Sequence, residues 1–281
     1  MGNRINRQKG DVARKVIYGI VVLGGGILMA LPFIWMTLSS LKTEAELMMT
    51  PPSFFPRNPV TENYALVMRD LPFLLFYRNT IMVTVLRSVS QILCCSMAAF
   101  AFAKIRFPGR NMIFLGLLAV LMVPHQMILV PNYIIMRFLG LSNTLLAVAL
   151  PGMFSAFGMF LLRQFYLTLP DEFLDSGKID GCTHFGIFAK LYFPLTQTAV
   201  MALLIFTVMY SWNDFIWPLI ISSSDRTRVL SVGIALLQGQ SRIFYNQIMA
   251  GAVMATLPVI ALFVSLQRYF VQGIALTGVK G

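Results

Sequence analysis

Arg87 and Gln91 stand one helical turn apart inside an otherwise apolar run. An ionisable side chain in such a run is a functional candidate by default, and residues four apart share one face of a helix. A guanidinium and an amide on one face can hydrogen-bond a hydroxyl-rich solute in a polar pathway. The same guanidinium can instead snorkel to an interface or pair with a neighbouring helix, and the residues alone leave both readings open. Asp214 is the second such group, within Trp212-Asn213-Asp214-Phe215-Ile216-Trp217-Pro218-Leu219. Trp212, Asn213 and Asp214 together offer an apolar face for a sugar ring and polar groups for its hydroxyls. Tryptophans at the end of an apolar run also form an interfacial belt, so this cluster too has two readings.

No catalytic constellation is present. The phosphate-cradling pattern G-x-x-x-x-G-K-[ST] is missing, so ATP is not expected to bind this chain through that cradle. His125 and His184 lie far apart, and His125, in Pro124-His125-Gln126, reads as a satisfied polar residue at a kink rather than a ligand or base. Cys94 and Cys95 are adjacent in an apolar run and Cys182 stands alone, a usage without metal-binding spacing. The chain is therefore read as non-enzymatic, with no cofactor or metal of its own.

The elements that must position these groups are membrane-spanning helices. Of 281 residues, 57% are hydrophobic and only 12% charged, about half the share of a soluble domain, and the mean hydropathy is +0.75. The net charge of +11 comes from scattered basic residues, the pattern of membrane orientation rather than of nucleic-acid binding. Apolar runs predict six spans, at about 16–38, 79–103, 112–133, 144–165, 196–221 and 247–264, in one transmembrane domain covering 1–281. Residues 42–78, with Pro51, Pro52, Pro56 and Pro59, read as an external loop. Lys and Arg are more numerous on the side of the amino terminus, which places both termini in the cytoplasm.

One stretch between spans four and five, within 168–194, reads as a small folded object. Pro170, Asp171 and Glu172 start a helix, and Gly181 stops it as a left-handed cap. Thr183 caps a second helix, which Pro194 limits before span five. Ser176 and Gly177 leave one side of the first helix nearly bare, as a close approach by another surface requires.

This stretch resembles the EAA loop of ABC-importer permeases, whose pattern is roughly E-A-A, then D-G-A, then I-x-L-P. It falls here on Asp175-Ser176-Gly177, Asp180-Gly181-Cys182 and Leu191-Tyr192-Phe193-Pro194, with Asp180, Gly181 and Pro194 as strict matches. W-N-D-F-I-W-P-L resembles a stretch of carbohydrate-importer permeases of the MalG-like kind. So do Leu31 to Lys42, Ala98 to Arg110 and the tail Gln267 to Gly281.

The resemblance implies a six-span, all-α type I importer permease fold with a cytoplasmic coupling helix between spans four and five. It implies half of a sugar pathway in a bacterial cell membrane, opened by alternating access. The partners implied are a sister permease, two ATPase subunits that hold the ATP and Mg, and an extracytoplasmic solute-binding protein. Asp175 and Asp180 would supply the polar contacts with the ATPase, Gly181 the tight turn, and Pro194 the stop that aligns the loop with span five. The competing expectations are an ion-coupled secondary transporter and an importer of a non-sugar solute such as a glycerol-phosphate ester.

Overall fold

The structure, a computed structural model, describes the backbone of residues 2–239 and 243–278, and the side chains of 14, 15, 17–239 and 243–265. The side chains of Arg4, Arg7 and Lys9, the residue Arg242 and the side chains of the tail Gln267 to Gly281 lie outside the described residues. The described residues are all-α, with no strand among them. They divide into two compact units, residues 1–70 with 237–254, and residues 71–236 with 255–281.

In the first unit, α1 (Gly2–Ser40) carries an apolar stretch, Ile17–Ser40, that is exposed along most of its length and buried only at Ser39 and Ser40. Such a helix, apolar all round, suits a lipid or partner surface. The predicted loop 42–78 is more ordered and shorter than expected, because α2 (Glu44–Leu47) and α3 (Glu62–Asp70) occupy it and the next helix starts at Phe73. Its order comes from buried polar groups that satisfy one another. The Lys42 ammonium donates to the Ser53 carbonyl at 2.5 Å and lies 4.6 Å from the Trp35 ring centroid. Asn63 donates to the carbonyls of Ser40 and Lys42.

The second unit is built on α4 (Phe73–Lys104), which extends the predicted second span by six residues at its start. The third span is not one helix. α5 (Arg110–Ala119) and a short 3-10 turn meet a second half, His125–Ile128 with α6 (Leu129–Phe138), at a bend of 98°. Pro124 at the break lacks the N–H that would continue the ladder, whereas Pro131 sits in the first turn of α6, where that N–H has no helical partner to lose. The fourth span is likewise broken, by 43°, between α7 (Leu145–Ala149) with a 3-10 turn at Leu150–Gly152, and α8 (Ala156–Thr168).

Two short helices follow, α9 (Glu172–Ile179) and α10 (His184–Ile187), then a π turn over Phe188–Tyr192 and α11 (Phe193–Leu195). The fifth span is α12 (Gln197–Asn213), set at 80° to the helical stretch before it, and α13 (Ile216–Ile221) after an interruption. α14 (Leu230–Leu236) precedes α15 (Tyr245–Gly278), whose apolar part is Tyr245–Ser265. Among the described residues, three helices are long and apolar enough to cross a membrane, and up to six segments are if each bent pair counts as one. The core surrounds α4. Phe100 packs with Tyr166, Phe188 and Tyr192 toward one end, and Val83 packs with Ala147, Val148 and Trp217 toward the other.

Candidate functional site

The interruption of the fourth span sets a chemical problem that α4 solves. A helix end leaves its last carbonyls without partners inside the helix, and at membrane depth no bulk water replaces them. Pro151 and Gly152 end the first half, and the Ser155 hydroxyl starts the second by accepting the Gly158 N–H at 3.0 Å. Along one face of α4, Arg87 donates from Nη2 to the Val148 carbonyl at 2.6 Å and from Nε to the Ala149 carbonyl at 3.3 Å. One turn on, Gln91 Nε2 donates to the Gly152 carbonyl at 2.6 Å. A turn further, the Cys95 thiol lies 3.4 Å from both the N–H and the carbonyl oxygen of Ser155. Residues 87, 91 and 95 therefore form a ladder at the i, i+4, i+8 spacing of one helix face. A Cβ on Gly152 would stand 2.6 Å from Arg87 Nε, so glycine at 152 is what lets the guanidinium reach the break.

The fifth span supplies the counter-charge. Pro218 has no N–H to offer the carbonyl four residues back, that of Asp214, and Asp214 adopts an extended backbone where α12 ends. Its carbonyl accepts the Ser231 hydroxyl instead, at 2.6 Å. Its carboxylate lies 2.9 Å from Arg87 Nη1, with the two side chains 9% and 2% exposed. Gln91 Oε1 accepts the Thr207 hydroxyl at 2.8 Å, and Thr84 donates to Ser211 at 3.2 Å. α4 is thus stitched on one side to the break in span four and on the other to α12.

Arg87, Gln91, Gly152, Ser155, Thr207 and Asp214 line a cavity of about 510 Å³ whose walls also include His125, Asn132, Phe154, Phe206 and Tyr210. His125 sits at the break of the third span with Nε2 3.5 Å from the Tyr210 hydroxyl. The lining is mainly aromatic and aliphatic with a few convergent polar groups, the composition of a small-molecule site. Its ionised pair, Arg87 and Asp214, is closed on itself.

Three of the five expected lining residues, Arg87, Gln91 and Asp214, come together here. Trp212 and Asn213 do not, because successive residues of a helix point about 100° apart. Trp212 Nε1 donates to the Ala255 carbonyl at 3.1 Å, and its ring lines a separate, apolar cavity with Ile81 and Pro258. Asn213 is exposed and donates to the Met209 carbonyl of its own helix. Sequence reasoning missed Gly152, Ser155 and Thr207. The Pro151-Gly152 dipeptide is a breaker signal inside a run read as one continuous span.

The stretch from 168 to 194 folds as its caps predict. Gly181 has φ +73, its N–H donates to the Lys178 carbonyl, and the Cys182 N–H reaches back to the Gly177 carbonyl at 2.9 Å. That pair of bonds is the Schellman end of a helix. The Thr183 hydroxyl accepts the Gly186 N–H. The surface that approaches Gly177 is α10 itself, since a Cβ there would meet Ile187 Cγ1 at 2.7 Å. Pro194 does not end the second helix: it lies in the first turn of α11, and the chain turns at Thr196. Without an N–H, Pro194 cannot donate to the Lys190 carbonyl four residues back, within the stretch where the helix widens into its π turn.

Lys104, at the end of α4, clamps this stretch by donating to the Leu169 carbonyl and the Asp171 carboxylate. That hydrogen bond, with the charge behind it, holds the Asp171 carboxyl below the usual carboxylate range. Asp175, Ser176 and Asp180 face solvent, and Ile179 and Phe185 project from the same two helices at 86% and 67% exposure.

A family model described as the binding-protein-dependent transport system inner membrane component matches residues 91–275. The arabinooligosaccharides transport system permease protein AraQ of Halalkalibacterium halodurans is 34% identical over 253 residues, 89% of this chain and 91% of that one. The sn-glycerol-3-phosphate transport system permease protein UgpE of Brucella suis biovar 1 is 29% identical, over 92% and 95% of the two chains. A crystal structure of a bacterial ABC transporter involved in the import of the acidic polysaccharide alginate contains a chain of the same fold, with TM-score 0.80 at 22% identity, over 93% of this chain and 98% of that one.

Proposed function

Because this chain belongs to the family of binding-protein-dependent transport system inner membrane components, we propose that its cavity is this subunit's share of a sugar pathway and that the stretch 168–194 is its ATPase-coupling loop. The chain is a membrane-embedded permease subunit of an ATP-driven importer, and such a system works with ATPase and solute-binding partners. On this reading the pathway is completed by a sister permease, two ATPase subunits bind below, and both termini face them. The six segments form one transmembrane domain that alternates between inward and outward openings. No step of ATP hydrolysis falls to this chain, and ATP with its Mg is held by the partner.

The observation that carries the reading is the loop. It is a two-helix unit with its own caps, held by a buried lysine, and it presents Ile179 and Phe185 outward where an isolated chain has no use for them. Asp175, Ser176, Asp180 and Gly181 share that outer surface. The cavity favours a neutral, hydroxyl-rich solute over a phosphate ester, since its one lining guanidinium already faces a carboxylate. The same pairing weighs against ion-coupled secondary transport, which needs a carboxylate free to take up a cation.

Affinity purification of the tagged chain from its native membrane in mild detergent, with partners identified by mass spectrometry, tests this. An ATP-binding-cassette subunit and a second permease should be recovered. Ile179→Asp should release the ATPase and retain the second permease. Recovery of the chain alone would overturn the proposal.

A further inference from the structure

We infer that Arg87 is a positioning residue: from α4 it holds the break of span four and the break of span five in one fixed relation, and so sets the shape of the cavity between them. Its part in transport rests on the reading of that cavity as a solute pathway.

Three separate points of the guanidinium are engaged, Nη2 on Val148, Nε on Ala149 and Nη1 beside Asp214. The first two acceptors belong to the last turn of α7, and the third stands where α12 stops. Pro151 and Pro218 each leave one carbonyl free, that of Ala147, taken by Trp217 Nε1, and that of Asp214, taken by the Ser231 hydroxyl. Arg87 takes the next two carbonyls at the first break. Irregular backbone at this depth persists only where the protein itself satisfies it. Arg87 is 2% exposed, so its bonds are largely shielded from water. A planar guanidinium presents several donors in a fixed fork, whereas an ammonium is a point charge. Lysine at 87 would keep the charge for Asp214 and lose the simultaneous grip on the two carbonyls. Nε and Nη2 are hydrogen-bonded to the two carbonyls, and Nη1 is held beside Asp214 by charge, with no hydrogen bond of its own.

Thiol labelling of the assembled complex in native membranes tests this. Cys94 and Cys182 are replaced by serine, N-ethylmaleimide is the probe, and labelling is read site by site by mass spectrometry, because the Cys95 thiol stays in place beside Ser155. Ala149→Cys reports the break, and Ala99→Cys reports the core packed around the other end of α4; both alanines are fully buried. Arg87→Lys should raise the labelling rate at 149 about tenfold, the shift in an opening equilibrium that one lost charge-assisted hydrogen bond produces. Asp214→Asn, which spares both carbonyl bonds, should raise it less and serves as the milder variant if Arg87→Lys fails to assemble. Neither should alter labelling at 99. Unchanged labelling at 149 overturns the inference, and so does an equal rise at 149 and 99, which would mean general loosening. The result needs no solute and no identified ATPase, so it stands or falls apart from the purification experiment above.

Discussion

The loop at 168–194 and the ladder on α4 answer the same need, backbone groups left over where helices end, by opposite means. The loop uses its own neighbours: Gly181 and Cys182 return to Lys178 and Gly177, and Thr183 reaches Gly186. Its outer face is wet and projects apolar side chains. The ladder uses side chains from another helix, with Arg87 reaching a carbonyl 61 residues away and Gln91 a hydroxyl 116 residues away. It is buried, with its charges closed on one another. A unit capped by its neighbours can be displaced as a piece, whereas a junction of three segments transmits any change to all three. That division suits a docking element in the first case and a cavity wall in the second.

If the division is right, substitutions at the ladder should be global and those in the loop local. The largest effect is expected from Arg87→Met, which strands the Asp214 carboxylate in the interior. Breaking a buried pair on one side costs about 3–5 kcal/mol, read as a lower melting temperature of the purified complex; a shift no larger than that of a loop variant would break the comparison. Next comes Gly177→Ala, whose added carbon meets Ile187 and costs about 1–3 kcal/mol by overpacking. Amide exchange should rise over residues 172–187 and stay unchanged across α4.

The smallest effect concerns pH. Because Lys104 depresses the Asp171 pKa, the contribution of this pair is present at neutral pH and lost as the pH falls through that lowered value. The carboxylate is 74% exposed, so the contribution is under about 1 kcal/mol. The melting difference between the wild type and Asp171→Asn should close on acidification, and a difference that persists in acid would assign the clamp to other contacts.

The same contrast explains what could be read from residues alone. Caps at Gly181 and Thr183 are legible because their bonds span three to five residues, and the near-bare side at Gly177 announces a close neighbour. The apolar runs locate the helices, but the breaks at 150–155 and 214–215 depend on where released carbonyls find partners. Arg87, Gln91 and Asp214 stand out as polar groups in apolar runs, yet nothing local says that they meet. Trp212 and Asn213 adjoin Asp214 in sequence and leave it in space because a helix turns. Pro194 misleads for a related reason: its ring is tolerated in a first helical turn, so it marks a corner two residues early.

Gly152 carries one more consequence. With only 2.6 Å between its would-be Cβ and Arg87 Nε, the residues at 87 and 152 are a single inherited character rather than two. A relative that places any side chain at 152 has to shorten or reroute the group at 87, and one that loses the arginine frees 152 to vary. Covariation between these two columns, read across descendants of a common ancestor, would record which lineages kept this wall and which rebuilt it.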